Sequence, residues 1–258
     1  MPTEEHHAHH AASAAPNLDP AEVERFERLA GEWWDTSGKL RPLHSQGPAR
    51  LSFIRDGLVR HFDRPAGALK PLSGLSVLDV GCGGGLVSEP LARLGATVTG
   101  IDPTHDSIAV ARRHAQAQGL SIDYRTASVE ELEAKGEHFD AVVCMEVIEH
   151  VPDQAAFVKS LGRLVRPGGA IVMSTLNRTL KCYALAIVGA EYILGWLPRG
   201  THDWNRFVTT DELSRYLAAS GFSAPELSGI VYDVISDTWR LGSDTDVNYI
   251  ASAVRRAD

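Results

Sequence analysis

The chain has 258 residues, 44% hydrophobic and 22% charged, enough for one sizeable α/β core with appendages and too short for two large domains. Its formal net charge is -8, and no cluster of Lys and Arg stands out, so nucleic acid is disfavoured as a partner or substrate. Cys82, Cys144 and Cys182 lie far apart without a CxxC pair, which argues against a zinc site or a disulfide framework and fits a reducing cytoplasm.

Residues 1–18 read MPTEEHHAHHAASAAPNL, without the basic and apolar regions of a secretory signal. HHAHH offers metal-binding side chains, but a polar, Ala-rich stretch with no core of its own is expected to be a disordered tail. Ordered structure, one domain over 19–258, is expected to begin at Asp19-Pro20. Asp suits a helix cap, Pro the first helical position, and Glu22 stands where the acid of a capping box would. That helix is expected to run through Trp34. A loop should follow around Gly38 to Gly47, and then a second helix from Arg50 to His61, with Leu51, Ile54 and Leu58 at helical spacing.

From Leu75 onward, short apolar runs alternate with longer amphipathic ones. LSVLDV, ATVTGID, IDYRT, FDAVVCM and GGAIVMST read as strands. Leu86 to Leu94, Ser107 to Gln118, a short segment near Glu130 and Gln154 to Val165 read as the intervening helices. This alternation predicts βαβ units and a mostly parallel, twisted α/β sheet with helices on both faces, a Rossmann-like fold. Beyond a further helix at Thr210 to Ser220, runs at Gly229 to Ile235 and Val247 to Val254 are expected to add an antiparallel edge.

The segment VLDVGCGGG ends a strand in an acid, Asp79, and then spaces Gly81, Gly83 and Gly85 through the turn into a helix. Glycines there let a ligand approach the backbone, which a Cβ would obstruct. The spacing is GxGxG, with Leu86 where a third glycine would complete GxGxxG, so the nicotinamide-dinucleotide fingerprint fails. An acid beside the loop suits instead a ligand that is cationic and lacks phosphate. Asp102 closes the next strand, where such folds carry an acid for two ribose hydroxyls. Ser128 and Glu131 fit a capping box, and the same loop is within reach of an adenine ring.

CMEVIEHV, at the end of the fourth core strand, puts Glu146, Glu149 and His150 at i, i+3 and i+4, on one face if the chain turns helical. Two carboxylates and an imidazole suit a divalent metal, a His150 base oriented by a glutamate, or simply a hydrogen-bonded turn. Met145 suits either the face of an adenine or core packing.

From Val23 to Tyr249 the chain resembles the ubiquinone-biosynthesis O-methyltransferases. The similarity lies in WWD at Trp33, KLRPLHSQGPARLSFI from Lys39, VLDVGCGGG, CMEVIEHVPD, STLNRT, VGAEYILGWLPRGTHDWNRF from Val188, and DVNY from Asp246. The glycine loop alone is shared by the whole class of S-adenosylmethionine-dependent methyltransferases, whereas the PLH and GTHD blocks are far more specific. The resemblance implies S-adenosyl-L-methionine as cofactor, bound by Arg50 at its carboxylate, Gly81 at the methionyl backbone, Asp102 at the ribose and Met145 at the adenosyl region; Gly83 of the glycine loop and Ser128 are further cofactor-binding candidates from the reading of the residues. It implies O-methylation of 2-polyprenyl-6-hydroxyphenol and 3-demethylubiquinol, with His150 and Glu149 as catalytic candidates. Eukaryotic relatives are associated with Mg2+, which maps onto Glu146, Glu149 and His150. A complex of ubiquinone-biosynthesis proteins is a further implied partner.

Leu180 to Pro198 is apolar apart from Lys181 and Glu191, and an acid in mid-segment argues against spanning a bilayer. Within an insertion at about 177–203, it reads as a lid over the site, a membrane-contact segment, or both. Trp196 with Arg178, Lys181 and Arg199 suits a headgroup boundary, so peripheral association with anionic lipid on the cytoplasmic side of the inner membrane is expected. Alternative readings are methylation of a soluble phenol or carboxylic acid, and a catalytically silent cofactor-binding protein.

Overall fold

The structure is a computed structural model and describes residues 16–185 and 203–257. The expected disordered tail, its HHAHH run, and most of the apolar insertion therefore lie outside the described residues, apart from Pro16 to Leu18 of the tail.

Among the described residues the strands form one eight-stranded sheet. In chain order the elements are α1 (Pro20–Leu29), α2 (Arg41–His61), β1 (Ser76–Val80), α3 (Ser88–Arg93), β2 (Thr97–Asp102), α4 (His105–Ala117), β3 (Asp123–Thr126) and α5 (Val129–Ala134). Then follow β4 (Phe139–Met145), α6 (Gln154–Leu164), β5 (Val165–Leu176), the single-turn α7 (Leu180–Cys182), α8 (Thr210–Ala219), β6 (Glu226–Asp233), β7 (Thr238–Gly242) and β8 (Asn248–Val254). The strand order is β3-β2-β1-β4-β5-β8-β6-β7, with the first five parallel and β8 antiparallel to β5.

Strand alternation sends successive side chains to opposite faces, and each face meets its own helices. Leu78, Val80, Val142, Ile171 and Met173 pack with Leu132 of α5, Phe157 and Leu161 of α6, and Leu213 and Leu217 of α8. Val77, Val98, Ala141, Val143 and Val172 pack with Phe53, Ile54 and Leu58 of α2 and Leu91 of α3. The strand order reverses direction between β1 and β4, so their carboxyl ends open the crevice where doubly wound sheets bind ligands. No helix among the described residues is long and apolar enough to cross a membrane.

The structure departs from the sequence reading at three places. α1 stops at Leu29 and passes into a 3-10 turn over Ala30–Glu32. The expected loop from Gly38 to Gly47 is largely helical, because α2 begins at Arg41 with Pro42 in its first turn and carries Pro48 inside it. A proline in the first turn forgoes an N–H that has no helical partner, so Pro42 is compatible with a helix start inside the stretch read as a loop. Finally, β7 pairs with β6 as the outer edge, and β8 lies inside the sheet between β5 and β6. The alternation of Thr238–Gly242 is short and only half-buried, which leaves little periodic signal.

Candidate active site

The loop after β1 turns through Gly81, Gly83 and Gly85, all with positive φ. A Cβ on Gly81 would stand 2.4 Å from Val147 Cγ2, and one on Gly83 would stand 2.3 Å from the Trp33 ring. The glycines therefore serve close packing of the loop as well as its left-handed backbone. Trp33 comes from the turn after α1 and is held by its indole N–H, which donates to Ser107 Oγ at 2.9 Å, while the Trp34 indole N–H donates to the Gly84 carbonyl at 3.0 Å.

Two acids flank the loop. Asp79, fully buried, accepts a hydrogen bond from Ser88 Oγ at 2.5 Å, and burial pushes its pKa up to about 7. Asp102 accepts from Gly83 N–H at 3.0 Å, from Thr104 N–H at 2.9 Å and from the Thr104 hydroxyl; burial still raises its carboxyl above the ordinary range. A buried carboxylate gains most from a cation or hydroxyl donors brought to it, since both favour its charged form.

Arg50 enters from α2 and is 4% exposed. One terminal nitrogen of its guanidinium donates to Gln46 Oε1 and lies 2.9 Å from Glu146 Oε1, but its Nε has no hydrogen-bond partner among the described residues. Glu146, immediately after β4, has φ 55, an uncommon backbone for a non-glycine residue and one that clusters at functional sites. Its carboxylate also accepts from Ser174 Oγ at 2.7 Å.

The chain then makes a 3-10 turn over Ile148–His150. Glu149 is buried and accepts from Thr175 Oγ1 at 2.8 Å; burial and the neighbouring Glu146 charge lift its pKa to about 7. His150 Nδ1 lies 2.9 Å from Glu22 Oε2 of α1, and the ring meets Phe26 edge-on with centroids 5.2 Å apart. Burial works to lower the imidazole pKa, but the Glu22 hydrogen bond and the Glu149 charge outweigh it and the net shift is upward.

The sequence reading placed Glu146, Glu149 and His150 on one helical face. The left-handed residue and the tighter turn instead direct them to Arg50 with Ser174, to Thr175, and to Glu22. Among the described residues no group of three His, Cys, Asp or Glu side chains is arranged to hold a metal. As it stands, the site does not fit Mg2+. Ser128 caps α5, accepting from Glu131 N–H at 3.3 Å, and is absent from the cavity wall.

A cavity of about 1110 Å3 joins these groups. Asp79, Gly81, Asp102, Met145 and Arg50 line it together with Glu149 and His150, and Leu51, Ile54, Val87, Ile230, Val231 and Trp239 add apolar wall. Gly83 is not part of that lining; its backbone N–H holds Asp102 instead. The β6–β7 contribution and Trp33 were missed as site features. Trp33 lies in the WWD block, but nothing in local spacing says that its ring covers a loop fifty residues onward. At the rim, Leu185 and Val234 line the cavity while 54% and 79% exposed, and Leu180 nearby is 82% exposed.

Residues 78–173 match the family model of a methyltransferase domain. The chain is 52% identical over 237 residues to the ubiquinone biosynthesis O-methyltransferase of Azorhizobium caulinodans, covering 92% of this chain and 94% of that protein. It is 51% identical over 247 residues to the protein of the same name from Methylobacterium sp. strain 4-46, covering 96% and 99%. Among solved structures, it is similar to magnesium protoporphyrin IX methyltransferase from Synechocystis PCC 6803 with bound SAH. There the TM-score is 0.64 at 25% identity, covering 92% of this chain and all of that one.

Proposed function

The chain belongs to the ubiquinone biosynthesis O-methyltransferases, and from that premise we propose that it methylates the phenolic hydroxyls of 2-polyprenyl-6-hydroxyphenol and 3-demethylubiquinol. The observation that carries the reading is one continuous cavity lined by Asp79, Gly81 and Asp102 together with His150, and walled by apolar side chains. Such a space suits a polar cofactor and an aromatic acceptor with a greasy tail.

When bound, S-adenosyl-L-methionine supplies a sulfonium methyl that a deprotonated oxygen attacks in line, the carbon–sulfur electron pair returning to sulfur. The residues present suit this cofactor. The unpartnered Nε of Arg50 is a buried donor available to its carboxylate, and Asp79 is a buried acid whose charged form its ammonium group would favour. Gly81, its Cβ position taken by Val147, offers its backbone to the methionyl part, Asp102 accepts from ribose hydroxyls, and Met145 packs at the adenosyl region. Ser128, its hydroxyl and its backbone N–H both engaged in the capping box, stands outside the cavity wall.

His150 takes the phenolic proton, and Glu149 stabilises the resulting imidazolium. The apolar wall excludes water and holds oxygen and methyl carbon in line, which is where most of the acceleration in such a transfer arises. Leu185, part of the apolar stretch from Leu180 to Pro198 in the sequence, and Val234, both exposed at the cavity rim, favour peripheral association with an anionic membrane surface, on the cytoplasmic face of the inner membrane. A ubiquinone-biosynthesis complex would deliver the acceptor there.

The test is transfer of labelled methyl to a short-chain demethylubiquinol and a prenylated catechol, with a soluble catechol as control, with and without liposomes. Transfer to the prenylated acceptors, raised by anionic liposomes, is the expected result. Transfer to the soluble catechol alone would overturn the substrate assignment.

A further inference from the structure

We propose that Glu22 is a positioning residue for His150, acting from outside the cavity to fix which imidazole nitrogen is left free to take the substrate proton; the inference rests on the methyl-transfer reading above. Glu22 Oε2 lies 2.9 Å from His150 Nδ1, and His150 lines the cavity while Glu22 does not. A carboxylate only accepts, so Nδ1 must carry the hydrogen, and Nε2, on the opposite edge of the ring, keeps its lone pair. The same carboxylate stabilises the imidazolium that forms when the phenolic O–H bond breaks and its proton moves to Nε2, a division of labour common to acid–histidine pairs.

Glu22 is not needed for the helix start that its sequence position suggested. Asp19 already caps α1, accepting from Ala21 N–H at 3.0 Å, and the Glu22 carboxylate turns toward His150, with Arg25 Nη1 3.3 Å away. Separate contacts hold α1 in register over the catalytic turn. Asn17 and Asp153 exchange two hydrogen bonds at 2.6 and 3.0 Å, Asp19 pairs with Arg206 at 2.8 Å, and Phe26 packs edge-on against the imidazole. The helix is thus anchored at its start by groups other than Glu22, and the Glu22 side chain is left to address the ring.

The experiment is a double-mutant cycle of Glu22→Ala and His150→Gln, with Glu22→Gln as the variant that keeps an acceptor and removes the charge. Each protein is checked for an unchanged thermal midpoint and for S-adenosylmethionine affinity by calorimetry. Glu22→Ala should lower kcat about 10–100-fold with cofactor affinity unchanged, and Glu22→Gln should retain more activity. In the His150→Gln background, Glu22→Ala should cost nothing further, because it acts only through that ring. Losses that multiply in the double variant, or normal turnover in Glu22→Ala while His150→Gln is impaired, would overturn the positioning role alone. Full turnover in His150→Gln would overturn the base assignment, and the positioning role with it.

Discussion

The Arg50 guanidinium of α2 lies 2.9 Å from Glu146 Oε1 just after β4, yet its Nε has no hydrogen-bond partner among the described residues. A buried donor left open costs stability unless something accepts from it, and the carboxylate of the cofactor is the acceptor that the family assignment supplies. Arg50→Lys keeps the charge and loses the fork. We expect it to weaken S-adenosylmethionine binding about 10-fold or more by calorimetry, with little change in the affinity for prenylated acceptor. Equal affinity in both proteins would remove Arg50 from the cofactor site.

Asp79 carries a pH signature. Its free-enzyme pKa of about 7 lies above its ordinary 3.8 because of burial, so near neutrality a substantial fraction is protonated. A cationic amino group favours the ionised form, and binding below pH 7 must expel a proton. Cofactor affinity should therefore rise with pH up to about 7 and level off above it, and Asp79→Asn should flatten that slope and weaken binding at pH 8. The same shift acts on stability with the opposite sense. A raised folded pKa makes a contribution that is complete below 3.8 and lost as pH rises through 7. The cofactor-free Asn variant should accordingly melt higher than the wild type at pH 8 and nearly equally at pH 4. A binding slope that persists in Asp79→Asn would assign the titration to another group.

How far this site could be read from sequence follows from which interactions are local. The strand–glycine–helix turn and Asp102 announce themselves because loop geometry and strand ends follow from neighbouring residues. Ser128 and Glu131 form the expected capping box for the same reason. The path of CMEVIEHV did not follow, since a left-handed Glu146 is a tertiary outcome, favoured by Arg50 and Ser174 arriving from elsewhere. Glu22 had the right type and position for a capping box, but its partner lies across the chain on another element. Local spacing carries no signal for that choice. α2 begins at Arg41, well before the helical spacing of Leu51, Ile54 and Leu58 shows it, because its first turns, with Pro42 at the start, carry little apolar periodicity.

The packing of Trp33 on the glycine loop makes Gly83 a test of cofactor-site shape. An alanine methyl there would fall 2.3 Å from the indole, on a backbone with φ +51 that suits glycine best. The ring must move and give up its bond to Ser107. Overpacking of this kind costs about 1–3 kcal/mol, so Gly83→Ala should lower the thermal midpoint and weaken cofactor binding about 10-fold or more. Trp33→Phe in the Gly83→Ala background should restore part of both, since the smaller ring vacates the clashing position. If the single variant binds and melts like the wild type, the loop is not constrained by Trp33.

The last expectation concerns magnesium. For Glu146, Glu149 and His150 to hold a cation together, Glu146 would have to turn from Arg50 and Ser174, Glu149 from Thr175, and His150 from Glu22. A small, strongly hydrated ion offers little to replace one buried ion pair and three other close partners at once. Turnover of the purified enzyme should therefore be unchanged by EDTA and by added Mg2+ at saturating cofactor. A loss in EDTA restored by Mg2+ but not by Na+ would mean that the turn after β4 rearranges on binding. The same treatment should then abolish the effect of Glu22→Ala, because His150 would have exchanged its carboxylate partner for the metal. Absence of any EDTA effect, with Glu22→Ala still impaired, would leave the imidazole and its carboxylate as the groups that handle the proton.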